Sequence, residues 1–392
     1  VHRTLRLAPN PNTPFLRRNM SVRHRSLIAP AATVAAAAVV AIGATAGPSV
    51  AGVSWSTATS ATAGGGLSAL VKAAKAEGSL NVIALPSDWA NYGKEISTFE
   101  KTYGIKVNSE APDDSSAQEI QAIEDGRGRS SRPDVVDVGE SFAVQDAKLF
   151  APYKVQTWSA IPTGYKATNG DWYNDYGGYI SFGCDMNVVK TCPTSWSQLE
   201  SSAYKGDVSL NGIPGQASAA TSAVWAAALN SGGSLKNASP GLSFFNTLKS
   251  DGNLNSTDCD SSTIVAAGSC PILINWDYLN SAKSYDLPST LKWKVVDPTG
   301  TPFAAYYVQA IAADAPHPAA ARLWEEFLYS TKGQNIWLEG GARPVELPAL
   351  VKAGTENKAA YKQLPVVKKI ATLPTYAETA TAGETIAAGW TA

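Results

Sequence analysis

Three short runs place acidic, hydroxyl or aromatic side chains directly after apolar stretches of strand length. Pro86-Ser87-Asp88-Trp89 follows Leu80-Asn81-Val82-Ile83-Ala84-Leu85, Gly139-Glu140-Ser141 follows Asp134-Val135-Val136-Asp137-Val138, and Trp276-Asp277-Tyr278 follows Ile272-Leu273-Ile274-Asn275. An indole face attracts an ammonium group by ~0.5–2 kcal/mol, and a neighbouring carboxylate would fix the charge. Asp88, Glu140 and Asp277 with Trp89 and Trp276 therefore favour an amine-bearing ligand. Ser87, Ser141 and the Gln216-Ala217-Ser218 run at the head of an Ala-rich helix favour an anionic group, because a helix N-terminus presents free N–H donors. Each run also has a plainer use: Ser87, Asp88 or Ser218 as helix caps, and Trp276 as a core ring with Asp277 capping behind it.

The chain offers little for covalent chemistry. Its three histidines are His2, His24 and His317, so a Ser-His-Asp unit would have to run through His317, which sits between Pro316 and Pro318 as a surface or capping residue. No HExxH, GxxxxGK[ST] or post-strand GxGxxG motif occurs. Asp113-Asp114 and Glu325-Glu326 read as solvated pairs. Lys plus Arg number 32 against 33 Asp plus Glu, which leaves no net basic field for nucleic acid. The reading is a non-enzyme without metal or cofactor.

In open α/β sheets ligands sit at the carboxyl ends of strands, so the three runs would have to converge there. A helix follows the first, with Tyr92, Ile96, Phe99 and Tyr103 on one face, and another is expected over Pro318–Tyr329. A chain of 392 residues suggests two packing units. Residues 1–51 read as a signal peptide: Arg17, Arg18, Arg23 and Arg25 precede an Ala- and Val-rich run ending at Ser49-Val50-Ala51, with a membrane anchor as the rival. No Cys follows that run to carry a lipid. Residues 52–66 read as a flexible leader. Export favours disulfides, and the local pairs Cys184–Cys192 and Cys259–Cys270 are expected, since their spacings do not suit zinc.

Further runs occur in a fixed order: Asp171-Trp172-Tyr173, Pro193-x-x-Trp196-x-x-Leu199, Tyr204-Lys205-Gly206, and Ala315-Pro316-His317-Pro318-Ala319-Ala320-Ala321 leading to Phe327-Leu328 and Gly333-Gln334. From about Leu67 to Val345 the chain resembles the extracellular solute-binding proteins of ABC importers, in the group serving ferric iron, polyamines, thiamine and phosphonates. The resemblance implies an α/β, two-lobed periplasmic-binding-protein-like fold of type II, each lobe a mixed sheet flanked by helices and joined by a hinge. Lobe one would be 67–179 plus 300–332 and lobe two 180–299 plus 333–392, with crossings near Tyr179–Ser181, Asp297–Gly300 and Thr331–Gln334.

The implied ligand set is Ser87, Asp88, Trp89, Glu140, Ser141, Tyr179, Ser181, Gln216, Ser218, Trp276, Asp277, Tyr278, Tyr306 and Tyr307. Paired tyrosines hold iron in relatives, but Tyr306-Tyr307 lies beyond the second crossing and only Tyr278 occupies the iron position, which disfavours iron. The implied function is capture of a small polar solute outside the cytoplasm, leaning to a polyamine or amine-bearing zwitterion, and delivery by a monomer to an ABC permease and its ATPase. A phosphonate or phosphate binder, and a secreted adhesion or sensor module, are the alternatives.

Overall fold

The computed structural model describes residues 54–281, 287–365 and 369–391; the expected signal peptide lies outside them. The chain runs α1 (Leu67–Glu77), β1 (Ser79–Ile83), α2 (Tyr92–Tyr103), β2 (Lys106–Glu110), α3 (Ser116–Asp125), β3 (Val135–Gly139), α4 (Glu140–Gln145) and β4 (Phe150–Ala151). It continues through β5 (Tyr173–Asp185), β6 (Val208–Leu210), α5 (Ser218–Asn230), α6 (Ser239–Ser250), α7 (Ser262–Ala266), β7 (Ile272–Trp276), α8 (Asp277–Ser281) and β8 (Trp293–Val296). It closes with β9 (Ala304–Ala312), α9 (Pro318–Leu328), α10 (Thr331–Glu339), β10 (Arg343–Pro344), α11 (Leu347–Ala353), α12 (Lys358–Tyr361) and α13 (Tyr376–Gly389).

Local sequence explains the boundaries. Ser115 and Gln118 form a reciprocal capping box at α3. Gly78 and Gly104 end α1 and α2 at φ 77° and 69°, a conformation glycine adopts without strain. Proline opens α9, and the Glu77 carboxylate accepts from the N–H groups of Ala319 (3.0 Å) and Ala320 (2.7 Å) there. Helix α5 is buried almost all round, and its alanines let α6 approach until the Cα of Gly241 has no room for a side chain beside the Val224 carbonyl.

Strand β5 organises the sheet. Its first half, Tyr173–Tyr179, pairs antiparallel with β9, and β10 joins at Gly177 and Tyr176. Its second half, Ile180–Asp185, pairs with β7 and with β8. The change of partner falls between Tyr179 and Ile180. Strands β3 and β4 flank β9, β6 lies parallel to β7, and β1 and β2 form a separate parallel pair. Residues 297–303 carry the chain from β8 back to β9, from one half of β5 to the other.

Two placements differ from the sequence reading. Helix α10 packs on α2 and α9 and β10 pairs with the first half of β5, so the chain stays with the first set of elements to residue 344 rather than leaving at 333. Residues 54–66 are not a free leader: Ala58 and Ala61 are buried, and buried Arg322 donates to the carbonyls of Ala58 (2.8 Å) and Ser56 (3.2 Å). Both disulfides form as paired in the sequence analysis.

Candidate functional site

The ends of β1 and β3 and the start of α5 face one region. Strand β1 leads into Ala84–Asn91, where Ala84, Ala90 and Asn91 all hold positive φ (54°, 45° and 70°). Such backbone is costly for residues with a Cβ and clusters at binding sites. Neither Ser87 nor Asp88 caps α2; Asn91 occupies that position without a side-chain bond, and Ser87 is exposed. Strand β3 passes straight into α4 at Glu140, and β7 into α8 at Asp277.

At the centre four aromatic rings, from three elements and the loop between β1 and α2, form a closed circuit. Trp89 meets Tyr278 (centroids 6.4 Å) and Tyr307 (5.8 Å) edge-on; Tyr176 meets Tyr278 (5.8 Å) and lies parallel to Tyr307 (5.7 Å). The Trp89 Nε1–H donates to the Tyr176 hydroxyl at 2.8 Å, which donates to Asp137 Oδ2 at 2.7 Å. The other Asp137 oxygen and the Tyr278 hydroxyl find no partner among the described residues, although both are buried. Burial pushes Asp137 up to about 6 against the opposing Tyr176 hydrogen bond, and burial with the Asp137 charge pushes Asp175 well above the usual carboxylate range.

An acidic cleft opens beside this circuit. A cavity of about 110 Å³ is lined by Trp89, Tyr307, Gln216 and Ser218 together with Asp113, Asp114, Glu119, Asp137, Asp258 and Asp260. A smaller recess adjoining it adds Asp88. No Lys, Arg or His occurs among the described lining residues. Burial, then the neighbouring carboxylates Asp260, Asp88 and Asp114, raise Asp113; burial and Asp260 raise Asp258. A bound cation would relieve this mutual repulsion. Described Asp, Glu, His and Cys side chains form no cluster with metal-binding geometry.

A larger cavity, about 390 Å³, lies on the other side of Ser218. Glu140, Ser141, Tyr306, Tyr165, Trp225 and Tyr376 line it, and the start of α13 closes it. Glu140 accepts from Asn174 Nδ2 (3.2 Å) and Thr379 Oγ1 (3.1 Å), yet burial lifts it to about 7. Helix α5 begins at Ser218 after Ala217, and among the described residues no side chain caps its first N–H groups.

The remaining expected residues lie elsewhere. Trp276 is 1% exposed, parallel to Tyr278 and bonded to the Tyr307 hydroxyl (3.4 Å), behind the aromatic circuit rather than on a cavity wall. Asp277 is committed: it accepts from the Tyr179 and Tyr278 N–H groups and pairs with Arg343 Nη1 at 2.7 Å, while the guanidinium stands 5.0 Å over the Tyr179 ring. Ser181 is buried and donates to the Asn275 carbonyl. Tyr179 and Asp277 line a third cavity of about 240 Å³ beside residues 297–303. Sequence reading did not assign Asp113, Asp114, Asp137, Asp258, Asp260, Tyr176 or Arg343 to the site. The alternation Val136-Asp137-Val138 was the one available signal, since it places a carboxylate inside a buried strand.

His317 does belong to a Ser-His-Asp chain. Its Nδ1 lies 2.8 Å from Asp134 Oδ2 and its Nε2 3.0 Å from Ser79 Oγ. Ser79 begins β1 and Asp134 precedes β3, at the opposite strand ends from the acidic cleft. Acyl transfer would also need donors for an oxyanion, and the nearby α9 N–H groups are held by Glu77. The chain of bonds ties β1, β3 and α9 together.

Residues 133–369, more than half of the chain, match the family described as bacterial extracellular solute-binding protein, and the chain belongs to it. No curated protein sequence matches the chain. Among solved structures it is similar to the periplasmic binding protein AfuA from Actinobacillus pleuropneumoniae with fructose-6-phosphate bound (16% identity, 79% of this chain and 97% of that one, TM-score 0.63). It is also similar to apo ferric ion-binding protein A from Pasteurella haemolytica (21%, 80% and 96%, 0.57) and to the spermidine/putrescine ABC transporter substrate-binding protein PotD from Streptococcus pneumoniae (15%, 74% and 93%, 0.50). These likenesses establish the periplasmic-binding-protein fold of type II. The protein is thus a solute-binding protein by family, a binding protein rather than an enzyme, and its family is an extracellular one. Among the described residues no helix is long and apolar enough to cross a membrane.

Proposed function

We propose that this protein captures a small, positively charged, amine-bearing solute in the acidic cleft and delivers it to an ABC permease. The carrying observation is the lining itself: Asp88, Asp113, Asp114, Glu119, Asp137, Asp258 and Asp260 surround two adjoining spaces with no cationic side chain among the described lining residues. Two lobes meeting along the changeover in β5 would close on the solute, each supplying part of the contacts. Lobe one holds Trp89, Asp113 and Asp137; lobe two holds Gln216, Ser218, Asp258 and Asp260. The two sides already touch, since the Ala117 N–H donates to the Gln216 carbonyl at 3.1 Å.

A zwitterion is the second reading, favoured by the uncapped start of α5 beside the same cleft. Its N–H groups would hold a carboxylate or phosphate while the carboxylates hold the amine. The test is replacement of Asp113, Asp258 and Asp260 together by asparagine. Spermidine binding should weaken at least about tenfold and lose most of its salt dependence. Unchanged affinity and salt response would reject the cleft as the cation site.

A further inference from the structure

From the aromatic circuit we infer a narrower ligand class: a methylated ammonium head, seated between Trp89, Tyr176, Tyr278 and Tyr307 with Asp137 as its counter-charge. The inference rests on the cation reading above and specifies which cation. An ammonium bearing several N–H groups needs an acceptor for each, or it leaves buried donors unmet. The circuit supplies aromatic surface and, among the described residues, two buried polar atoms without a close hydrogen bond, Asp137 Oδ1 and the Tyr278 hydroxyl, with Tyr92 and Asp175 beside the Asp137 carboxylate. Rings and one carboxylate suit a cation that is weakly hydrated and carries at most one N–H, because its methyl groups need faces rather than acceptors.

With neighbouring centroids 5.7–6.4 Å apart, the rings fill one another's space, so one wall must move to admit the ligand. Tyr176, Tyr278 and Tyr307 are at most 6% exposed and lie on β5, α8 and β9. Trp89 is half-buried, borders the acidic cleft, and sits on the loop that holds Ala84, Ala90 and Asn91 at positive φ. It is the wall able to swing. Its bond to the Tyr176 hydroxyl closes the empty circuit, and its indole face would close over the bound cation.

Choline and ethanolamine form a matched pair of probes that differ only in the three methyl groups. Calorimetric titration of the whole protein should show choline at least about tenfold tighter than ethanolamine. That preference should vanish in Trp89→Leu and return largely in Trp89→Phe, with thermal melts confirming that both variants fold. Ethanolamine binding as tightly as choline would overturn the inference. So would putrescine or spermidine binding with no response to choline, an outcome that leaves the broader cation reading standing. If no cation binds to folded protein, both fall.

Discussion

Gly139 at the end of β3 lies flat against Ser218 at the start of α5: a Cβ on Gly139 would stand 2.5 Å from the Ser218 Cβ and nearer still to its hydroxyl. The backbone there is ordinary (φ −61°, ψ 146°), so glycine is required for space and not for conformation. If these elements belong to opposite lobes, their contact sets how far the cleft can shut. Gly139→Ala should then weaken solute binding about tenfold or more while changing Tm little, because the open form accommodates the methyl group. Adding Ser218→Gly should restore affinity. Titration calorimetry on the two variants checks this, and no recovery in the double variant would show that the contact does not limit closure.

Acidity should act on binding and on folding in opposite directions. Cation capture needs ionised Asp137, which burial holds at about 6, so affinity should climb from pH 5 to 7 and level off above. Folding goes the other way. Burial raises Glu140 and Glu346 to about 7 and Glu325 to about 8, so the folded state holds protons that the unfolded chain releases near 4.5. The stability they contribute is complete below that lower value and is lost as pH rises through 7 to 8. His317, raised by its hydrogen bond to Asp134, has the same sign: its contribution is present below 6.5 and fades as pH rises through the folded value. Melting of ligand-free protein between pH 5 and 8 should show Tm falling, and a rising Tm would contradict these assignments.

The Arg343–Asp277 pair should be structural. Asp277 is 1% exposed and its carboxylate also receives the Tyr179 and Tyr278 N–H groups at the changeover in β5. Arg343→Ala would leave that charge buried without its cation, at a cost of about 3 kcal/mol. Urea unfolding measures it directly. A loss below ~1 kcal/mol would mean that water reaches Asp277.

Reduction of the disulfides should destabilise the half of the fold built on β6 and β7. Cys184–Cys192 and Cys259–Cys270 close loops of 8 and 11 residues' separation, and loops of that size are worth about 2.5–3 kcal/mol each in the chain-entropy model. Denaturation with and without a thiol reductant reads the loss, and coincident curves would show that neither bridge contributes.

Much of the scaffold was legible because near-continuous apolar runs identify buried strands: 80–85, 133–138 and 271–275 correspond to β1, β3 and β7, and α9 spans Pro318–Leu328 as its proline and apolar face foretold. The site was less legible. Asp113, Asp258 and Asp260 sit on loops whose charges follow no period, and only the packing of distant segments brings them together. Asp277 carried an acidic label in sequence, but its partner Arg343 lies 66 residues away in a two-residue strand that no pattern announces. Trp276 and Tyr278 take different places in the aromatic cluster for a reason visible only in register: Trp276 pairs with Ile180 at the end of β7, and Tyr278 has already entered α8.

The central claim is that the cleft selects positive charge. Titration of the folded protein at pH 7.5 with spermidine and choline on one side, and fructose 6-phosphate and ferric citrate on the other, tests it most directly. A cation at about 100 times its Kd should add about 2.7 kcal/mol of stability and bind with measurable heat, while the anions leave the protein unchanged. Stabilisation by an anion or by iron, with none from either cation, would contradict it.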